Sequence, residues 1–262
     1  DFSHYKQNTV RRRIGRRMIV CRTPTLADYA KYLEKTPAEV RELYKDLLIS
    51  VTNFFRDPGA FKALGKLLAD GLQTRKAEEP FRVWVPGCAT GEEVYSLAIL
   101  LNELLEELKL ATPLQLFGTD ISEVALERAR AGVYSGPIVD NVSAERLRRF
   151  FTQVDNGYQI SRNIRESCVF ARQDLAKDPP FAHTDLITCR NVLIYMDAAL
   201  HRQVLPVFHY SLNPTGLLML GTAETIAIVP DMFEAVDKQY RIYSRKSVPV
   251  RLTLDLALGR RQ

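Results

Sequence analysis

The sequence predicts an α/β protein with a small all-helical N-terminal domain, followed by a doubly wound, Rossmann-like domain that carries a small inserted β-subdomain. Helical periodicity dominates the first part of the chain, and the polar residues 71–80 interrupt it. From Phe81 onward, short apolar strands alternate with helices, as in a doubly wound sheet. We therefore predict domains at residues 1–75 and 76–262, with the insert at about residues 133–166.

The N-terminal domain contains four predicted helices. The first runs from Tyr5 to Met18 and the second from Thr25 to Leu33. Thr36-Pro37-Ala38-Glu39 has the pattern of a capping box with proline at the first helical position, and Asp57-Pro58 begins the fourth helix. The side chains expected to be buried on the last two helices are Val40, Leu43, Leu47, Leu48, Phe61, Leu64, Leu67 and Leu68.

The second domain shows short apolar runs bounded by turn residues, which are typical of strands. These candidate strands are residues 81–86, 114–119, 167–171, 185–189, 216–221 and 239–244. Between Gly132 and Cys168 the pattern is irregular. Within this region, Asp155-Asn156-Gly157 followed by Tyr158–Ile160 predicts a β-hairpin, because Asn-Gly between strand-like residues is a tight-turn signal.

One strand–turn–helix segment carries the strongest indication of function. Gly87 and Gly91 follow an apolar strand and precede an amphipathic helix, which is how an open α/β sheet forms a nucleotide-sized crevice. The spacing does not match G-x-G-x-x-G. The acid pair Glu92–Glu93 at the helix start would repel a pyrophosphate and suits a ligand with an ammonium group and hydroxyls, such as S-adenosylmethionine (SAM). From these residues alone, a plain strand–turn–helix without a ligand is an equally good interpretation.

A second apolar strand ends in Asp120. An acid at the tip of the second strand can accept hydrogen bonds from both hydroxyls of a ribose. Alternatively, Asp120 or Ser122 caps the helix that follows. The two interpretations are compatible.

Composition narrows the class of protein. With 262 residues, 46% hydrophobic and 26% charged, the chain is typical of a soluble globular protein. No apolar run approaches the ~20 residues that a membrane-spanning helix needs, and no signal-peptide pattern is present. The four cysteines are scattered and form no ligand set with the four histidines, so we expect no metal site. Free thiols of this kind fit the reducing cytoplasm.

The net charge of +5 is concentrated at the N-terminus. Residues 1–22 hold seven basic side chains and one acidic side chain, and six arginines lie between Arg11 and Arg22. This asymmetry indicates an acidic partner. The basic helix could be a solvated face, a nucleic-acid-binding surface or a docking surface for an acidic helix, because arginine forks bind carboxylates as well as phosphates.

Five motifs, in the same order, make the chain resemble the chemotaxis receptor methyltransferases, the CheR family, over nearly all of its length. They are SVTNFFRDPGAF (Ser50–Phe61), VWVPGCATGEEVYSLA (Val83–Ala98), GTDIS (Gly118–Ser122), DLITCRNVLIYM (Asp185–Met196) and GLLMLGTAE (Gly216–Glu224). The resemblance implies an enzyme that uses SAM to esterify glutamate side chains of chemoreceptors and releases S-adenosylhomocysteine (SAH). The opening DFSHYKQNTVRRRI and the ending VDKQYRIYSRK are more similar to the methyltransferase part of fusion proteins that also carry a methylesterase (CheB) domain.

The resemblance also implies which residues bind the cofactor. Glu93 matches the residue that holds the methionine end of SAM, and Asp120 matches the ribose ligand. Asp174 belongs to the pair beside the adenine, where the family often has Asn, and Ser50 stands where some members have Asn. The complete implied set is Ser50, Thr52, Arg56, Gly87, Glu93, Asp120, Asp174, Leu175, Arg190 and Asn191.

Further matches concern the reaction and the substrate. Tyr195 matches a tyrosine near the transferred methyl group, where Arg56 would orient the incoming carboxylate. Without the family match, a surface ion pair for Arg56 and a buried tyrosine at 195 would be the better interpretations. Arg13, Arg16 and Arg17 match receptor-facing positions, so the expected partner is the cytoplasmic helical bundle of a chemoreceptor.

Methyl transfer to a carboxylate requires little acid–base catalysis by the protein. A glutamate, with a reference pKa of ~4.3, is already ionised at neutral pH, so no general base is required. What remains is positioning and the removal of water. The lack of a catalytic triad is therefore no argument against an enzyme.

Two alternatives remain from the sequence. One is a nucleic-acid-binding regulator with a non-catalytic SAM-fold domain, against which the intact GEE, GTD and RNV motifs argue. The other is an enzyme that methylates small carboxylic acids, against which the basic first domain argues. We expect a monomer that does not bind nucleic acid or insert into membranes. We also expect no tethering pentapeptide, because Asn156-Gly157 closes the hairpin tightly and no extra glycine loop follows.

Overall fold

A computed structural model describes residues 2, 4–48, 51–75, 78–155 and 157–248 of the protein. The predicted cofactor residue Ser50 and the turn residue Asn156 lie outside the described residues. Within them, no helix combines the length and the apolar character that a bilayer crossing requires.

The N-terminal part is helical, as predicted. Its helices are α1 (Gln7–Val20), α2 (Leu26–Lys35), α3 (Pro37–Leu47) and α4 (Pro58–Gln73). The predicted capping box at Thr36 is wrong, because the Thr36 side chain makes no cap hydrogen bond. Glu39 is instead buried, where it accepts hydrogen bonds from Arg17 and Tyr29. Val40, which was expected to be buried, is 48% exposed.

The remaining chain forms two sheets with helices packed around them. The strands are β1 (Phe81–Pro86), β2 (Leu114–Asp120), β3 (Val133–Tyr134), β4 (Phe151–Val154), β5 (Gly157–Ile160), β6 (Cys168–Arg172), β7 (Thr184–Cys189), β8 (Leu212–Leu220), β9 (Phe233–Asp237) and β10 (Ile242–Arg245). The helices are α5 (Glu92–Leu108), α6 (Glu123–Ala131), α7 (Ala144–Phe150), α8 (Arg162–Glu166) and α9 (Ala198–Ser211).

The main sheet has seven strands in the order β6-β2-β1-β7-β8-β10-β9. The pairs from β6 to β8 are parallel, and β10 is antiparallel to both of its neighbours. This confirms the predicted fold class. The sequence pattern missed β9, because three of its five side chains are exposed at the sheet edge and its apolar run is short.

The main sheet is buried on both faces. Val83 belongs to the cluster that includes α4 and α5, whereas its neighbour Trp84 belongs to the cluster on the other face with α9. Because Phe61 and Leu64 of α4 share the cluster of Val83, the core of the sheet extends across the proposed domain boundary near residue 75. That boundary stays a prediction.

The insert forms a separate three-stranded antiparallel sheet in the order β3-β5-β4. Strands β4 and β5 are the predicted hairpin, with Phe151 opposite Ile160. Gly157 has φ +138°, and a Cβ there would lie 2.0 Å from the carbonyl oxygen of Tyr134, so only glycine fits.

Candidate active site

A cleft lies at the carboxyl ends of the parallel strands, where the strand order reverses between β1 and β7. Every predicted cofactor or catalytic residue within the described part of the chain lines this cleft: Thr52, Arg56, Gly87, Glu93, Asp120, Asp174, Leu175, Arg190, Asn191 and Tyr195. The structure therefore brings together residues that are separated by up to 143 positions in the sequence. Among the residues described, no cluster of His, Cys, Asp and Glu could hold a metal ion.

The glycine turn after β1 leaves no room for a side chain. Gly87 has φ +69°, and a Cβ at this position would lie 2.4 Å from a methyl group of Val192. The turn is also fixed by the backbone N–H of Ala89, which donates to Oδ2 of Asp120 at 2.9 Å. This hydrogen bond links the turn after β1 to the last residue of β2 at the cleft.

Glu93 lies in the first turn of α5, and its side chain is only 12% exposed. Its Oε2 accepts a long hydrogen bond of 3.4 Å from Arg190. Its Oε1 is buried and has no hydrogen-bond partner among the described residues. Burial raises the pKa of Glu93, and the positive charge of Arg190 and the nearby hydroxyl of Thr188 oppose this shift. A buried oxygen without a partner is costly, and the ammonium group of SAM would supply the missing donor. The residue therefore fits the cofactor.

Asp120 ends β2 and binds backbone rather than side chains. Besides the bond from Ala89, its Oδ1 accepts from the N–H of Ser122 at 2.8 Å. Burial raises the pKa of Asp120, and these backbone donors lower it. Ser122 caps α6, accepting from the N–H of Ala125, which confirms the capping interpretation; the ribose role of Asp120 stays a prediction. Each carboxylate oxygen keeps a second lone pair that a ribose hydroxyl could use.

Arg190 connects the segment before α4 to the sheet through hydrogen bonds. Its side chain is 2% exposed, and Nη2 donates to Oδ2 of Asp57 at 2.6 Å and to the carbonyl of Arg56 at 2.9 Å. Asp57 was expected only to start α4, but it has φ +60° and makes no cap hydrogen bond. The guanidinium of Arg56 makes no hydrogen bond or ion pair with any residue that the structure describes, and it lines the cleft.

Glu224 was not identified as a functional residue from the sequence, although the fifth motif ends on it. It is 3% exposed. Oε1 accepts from the N–H groups of Val192 and Ile194, at 2.9 and 3.2 Å. Oε2 accepts from Asn191 and Gly221, at 3.0 and 2.6 Å. This carboxylate therefore holds Asn191 in its left-handed conformation, with φ +61°, under the cleft.

The sequence analysis also missed several residues that line the cleft, among them Gln173 and three residues of the opening segment. Gln173 is buried, and its Oε1 has no hydrogen-bond partner among the described residues. Phe2, His4 and Tyr5, from the opening segment, also line the cleft. Gln173 precedes the predicted Asp174, but no sequence signal marked the opening segment as part of the site.

The three predicted docking arginines are placed differently from one another. Arg16 is 64% exposed and lies 3.9 Å from Asp46. Arg13 is half-buried. The expectation that Arg17 faces a receptor is corrected, because it is bonded to Glu39 at 2.6 and 2.8 Å, with side-chain exposures of 14% and 6%. Residues three apart lie on the same face of a helix, so Arg17 shares with Ile14 the face of α1 that packs against α3.

Comparison with known families matches almost the whole chain. Residues 1–48 match the CheR methyltransferase all-alpha domain, and residues 50–242 match the CheR methyltransferase SAM binding domain. A chemotaxis protein methyltransferase of Listeria monocytogenes is 32% identical over 226 residues, which are 86% of this chain and 84% of that protein. Chemotaxis protein methyltransferase 2 of Vibrio cholerae is 28% identical, over 92% of this chain and 84% of that protein.

One relative is a much longer protein than this chain. A 104.1 kDa protein from the hypE 3' region of Rhodobacter capsulatus is 39% identical over 93% of this chain, which spans only 26% of that protein. Among solved structures, a SAM-dependent methyltransferase from Thiobacillus denitrificans in complex with SAH has a TM-score of 0.35 and 18% identity, and covers 65% of this chain and 50% of that chain.

The fold, the cleft and the family matches together define a SAM-dependent methyltransferase. The chain belongs to the CheR methyltransferase family, and its cofactor is S-adenosylmethionine.

Proposed function

We propose that this protein is a protein-glutamate O-methyltransferase that methylates glutamate side chains on the cytoplasmic helices of chemoreceptors. The best support is the meeting of two kinds of candidate residue in one cleft. Glu93 and Asp120 suit the ammonium group and the ribose of SAM, and Arg56 and Tyr195 line the same cleft, where they could contact an acidic side chain of the substrate.

When bound, SAM supplies an electrophilic methyl group on a positively charged sulfur. In the proposed reaction, an ionised carboxylate oxygen of the receptor attacks this carbon; the new C–O bond forms as the C–S bond breaks. The products are a methyl ester and SAH, a neutral thioether. Since the glutamate is already ionised at neutral pH, with a reference pKa of ~4.3, no proton has to move.

The residues of the cleft would act by positioning. Glu93 would bind the ammonium group and Asp120 the ribose, which fixes the sulfur between them. Arg56 has a guanidinium without a partner among the described residues, so it could hold the incoming carboxylate without first breaking an ion pair. Tyr195 would lie beside the methyl group and help to exclude water.

The exposed arginines of α1 suit an acidic helix as the substrate. Arg11, Arg12 and Arg16 are exposed on this helix, whereas Arg17 serves an internal ion pair. Arginine side chains present forked donors that match carboxylates on a facing helix. We therefore propose that the substrate is found through α1, by a monomer and without a tethering pentapeptide or nucleic acid.

The cofactor part of the proposal is tested by measuring SAH affinity calorimetrically in Glu93→Gln and Asp120→Asn. Each should lose a charge-assisted contact of ~1.5–3 kcal/mol, which is about tenfold or more in affinity. Glu92→Gln is the matched control, because the Glu92 carboxylate bonds to Thr90 at 2.6 Å and should leave SAH affinity near wild type. Wild-type affinity in both Glu93→Gln and Asp120→Asn would refute the site.

The substrate is tested with radiolabelled SAM and a receptor cytoplasmic fragment. Methyl esters release labelled methanol in mild base, whereas methylated nitrogen does not. We expect base-labile label on the receptor fragment and none on a fragment whose candidate glutamates are changed to glutamine. Base-stable label, or equal label on both fragments, would contradict a glutamate acceptor.

A further inference from the structure

The opening segment of the chain is bonded to the segment that carries Tyr195. The backbone N–H of Lys6 donates to the carbonyl of Tyr195 at 2.8 Å, and the N–H of Asp197 donates to the carbonyl of His4 at 2.9 Å. Between these bonds, Tyr5 and Met196 form an antiparallel bridge. We call residues 4–6 the strap. It lies at the cleft, beside the segment that carries Tyr195.

Tyr5 lines the same cleft as Asp120 and Asp174, two predicted cofactor ligands. Its ring packs edge-on against Phe2, with ring centroids 4.9 Å apart, and Phe2 packs in turn against Tyr44 at 5.9 Å. Burial raises the pKa of Tyr5, and the carboxylates of Asp120 and Asp174 raise it further. The phenol is therefore within electrostatic reach of both acids.

The strap is also continuous with α1. Lys6 is the residue before this helix, and its carbonyl accepts from the N–H groups of Thr9 and Val10, at 2.9 and 3.3 Å. A ligand that packs against Tyr5 would therefore restrain the first turn of α1, only two residues away.

We propose that Tyr5 is a cofactor-binding residue that forms a wall of the adenosine end of the site, and that the strap links cofactor binding to the first turn of α1. The location of the adenosine end rests on the roles of Asp120 and Asp174 in the proposed function. The contribution of Tyr5 is made by its ring, which offers a flat apolar surface beside the acids.

The first test compares SAH affinity in Tyr5→Ala, Tyr5→Leu and Tyr5→Phe by calorimetry. Tyr5→Ala and Tyr5→Leu should weaken binding by about tenfold, or ~1.4 kcal/mol, through loss of the aromatic wall, whereas Tyr5→Phe should bind like wild type. Tyr32→Ala, which removes a partly exposed tyrosine of α2, is the control. Wild-type affinity in Tyr5→Ala and Tyr5→Leu would overturn the proposal.

The affected end of the cofactor is identified with 5′-methylthioadenosine, which lacks the amino-acid group. Tyr5→Ala should weaken its binding by the same factor as for SAH, while Glu93→Gln should not change it. If Glu93→Gln and Asp120→Asn both bind SAH normally, the proposed site itself fails. If Glu93→Gln is weakened and Tyr5→Ala is not, only the role of Tyr5 fails.

The link to α1 is tested by hydrogen exchange at the amides of Thr9 and Val10. Saturating SAH should slow exchange at these amides in the wild type and in Tyr5→Phe, but not in Tyr5→Ala. Equal slowing in Tyr5→Ala, or no slowing in the wild type, would overturn the link. This readout needs no receptor, so it is independent of the substrate.

Discussion

The ion pair between Glu39 and Arg17 makes a sharp prediction about stability. The Glu39 carboxylate is 6% exposed and accepts hydrogen bonds from Arg17 at 2.6 and 2.8 Å and from the hydroxyl of Tyr29 at 2.8 Å. The bonds from Arg17 are the largest cause of a pKa lowered from 4.5 to about 2. Because this cluster joins α1 to α2 and α3, it holds the helix that we propose as the docking surface.

The size of the effect follows from the pKa. A fall from 4.5 to about 2, at ~1.36 kcal/mol for each pH unit, corresponds to ~3 kcal/mol of stability at neutral pH. Because the pKa is lowered in the folded state, this contribution is complete above pH 4.5 and is lost as the pH falls from 4.5 to 2. Glu39→Gln also leaves the Arg17 charge buried without its anion, so we expect a loss of ~3–5 kcal/mol at pH 7.

Urea denaturation at several pH values measures this loss. The difference in unfolding free energy between wild type and Glu39→Gln should be largest at pH 7 and should shrink below pH 4.5. Glu42→Gln is the matched control, because this exposed carboxylate of the same helix pairs with the exposed Lys45. The reasoning is refuted if Glu39→Gln is as stable as Glu42→Gln at pH 7, or if its deficit does not depend on pH.

Two further predictions concern the substrate. The double variant Arg12→Glu/Arg16→Glu should raise the apparent KM for receptor and weaken the salt dependence of this KM, while SAH affinity stays unchanged. Arg148→Glu, which changes an exposed arginine of α7, is the control. A normal KM at low salt in the double variant would exclude docking through α1. A receptor-type pentapeptide should give no calorimetric signal up to millimolar concentration. Because β4 is an edge strand of the small sheet, a peptide could in principle pair with it as an added strand. Micromolar binding would show that this sheet edge alone suffices to bind the peptide, and would refute the prediction.

The sequence predicts most of the sheet, because strands that are buried on both faces appear as continuous apolar runs. It also predicts Glu93 in the first turn of α5 and Asp120 at the end of β2, because their positions follow from local strand–turn–helix patterns. It does not reveal the partner of Asp57, because Arg190 is 133 positions away. Nor does the sequence distinguish the partly buried Arg17 from the exposed arginines around it. Basic residues occupy both faces of α1, so the helical periodicity of polar and apolar positions is weak there.

The carboxylates in and next to the cleft differ in their hydrogen bonding, and this difference bears on how the site works. Glu224 is saturated by four backbone N–H groups, and Asp57 is bonded to Arg190, so both are committed to holding the walls. Glu93 keeps a buried oxygen without a partner among the described residues. For the proposed methyl transfer, which moves no proton, fixed walls and one unsatisfied carboxylate would supply a rigid cleft and a defined place for the ammonium group. With these proposed roles, the cofactor would be oriented by groups that are already in position before it binds.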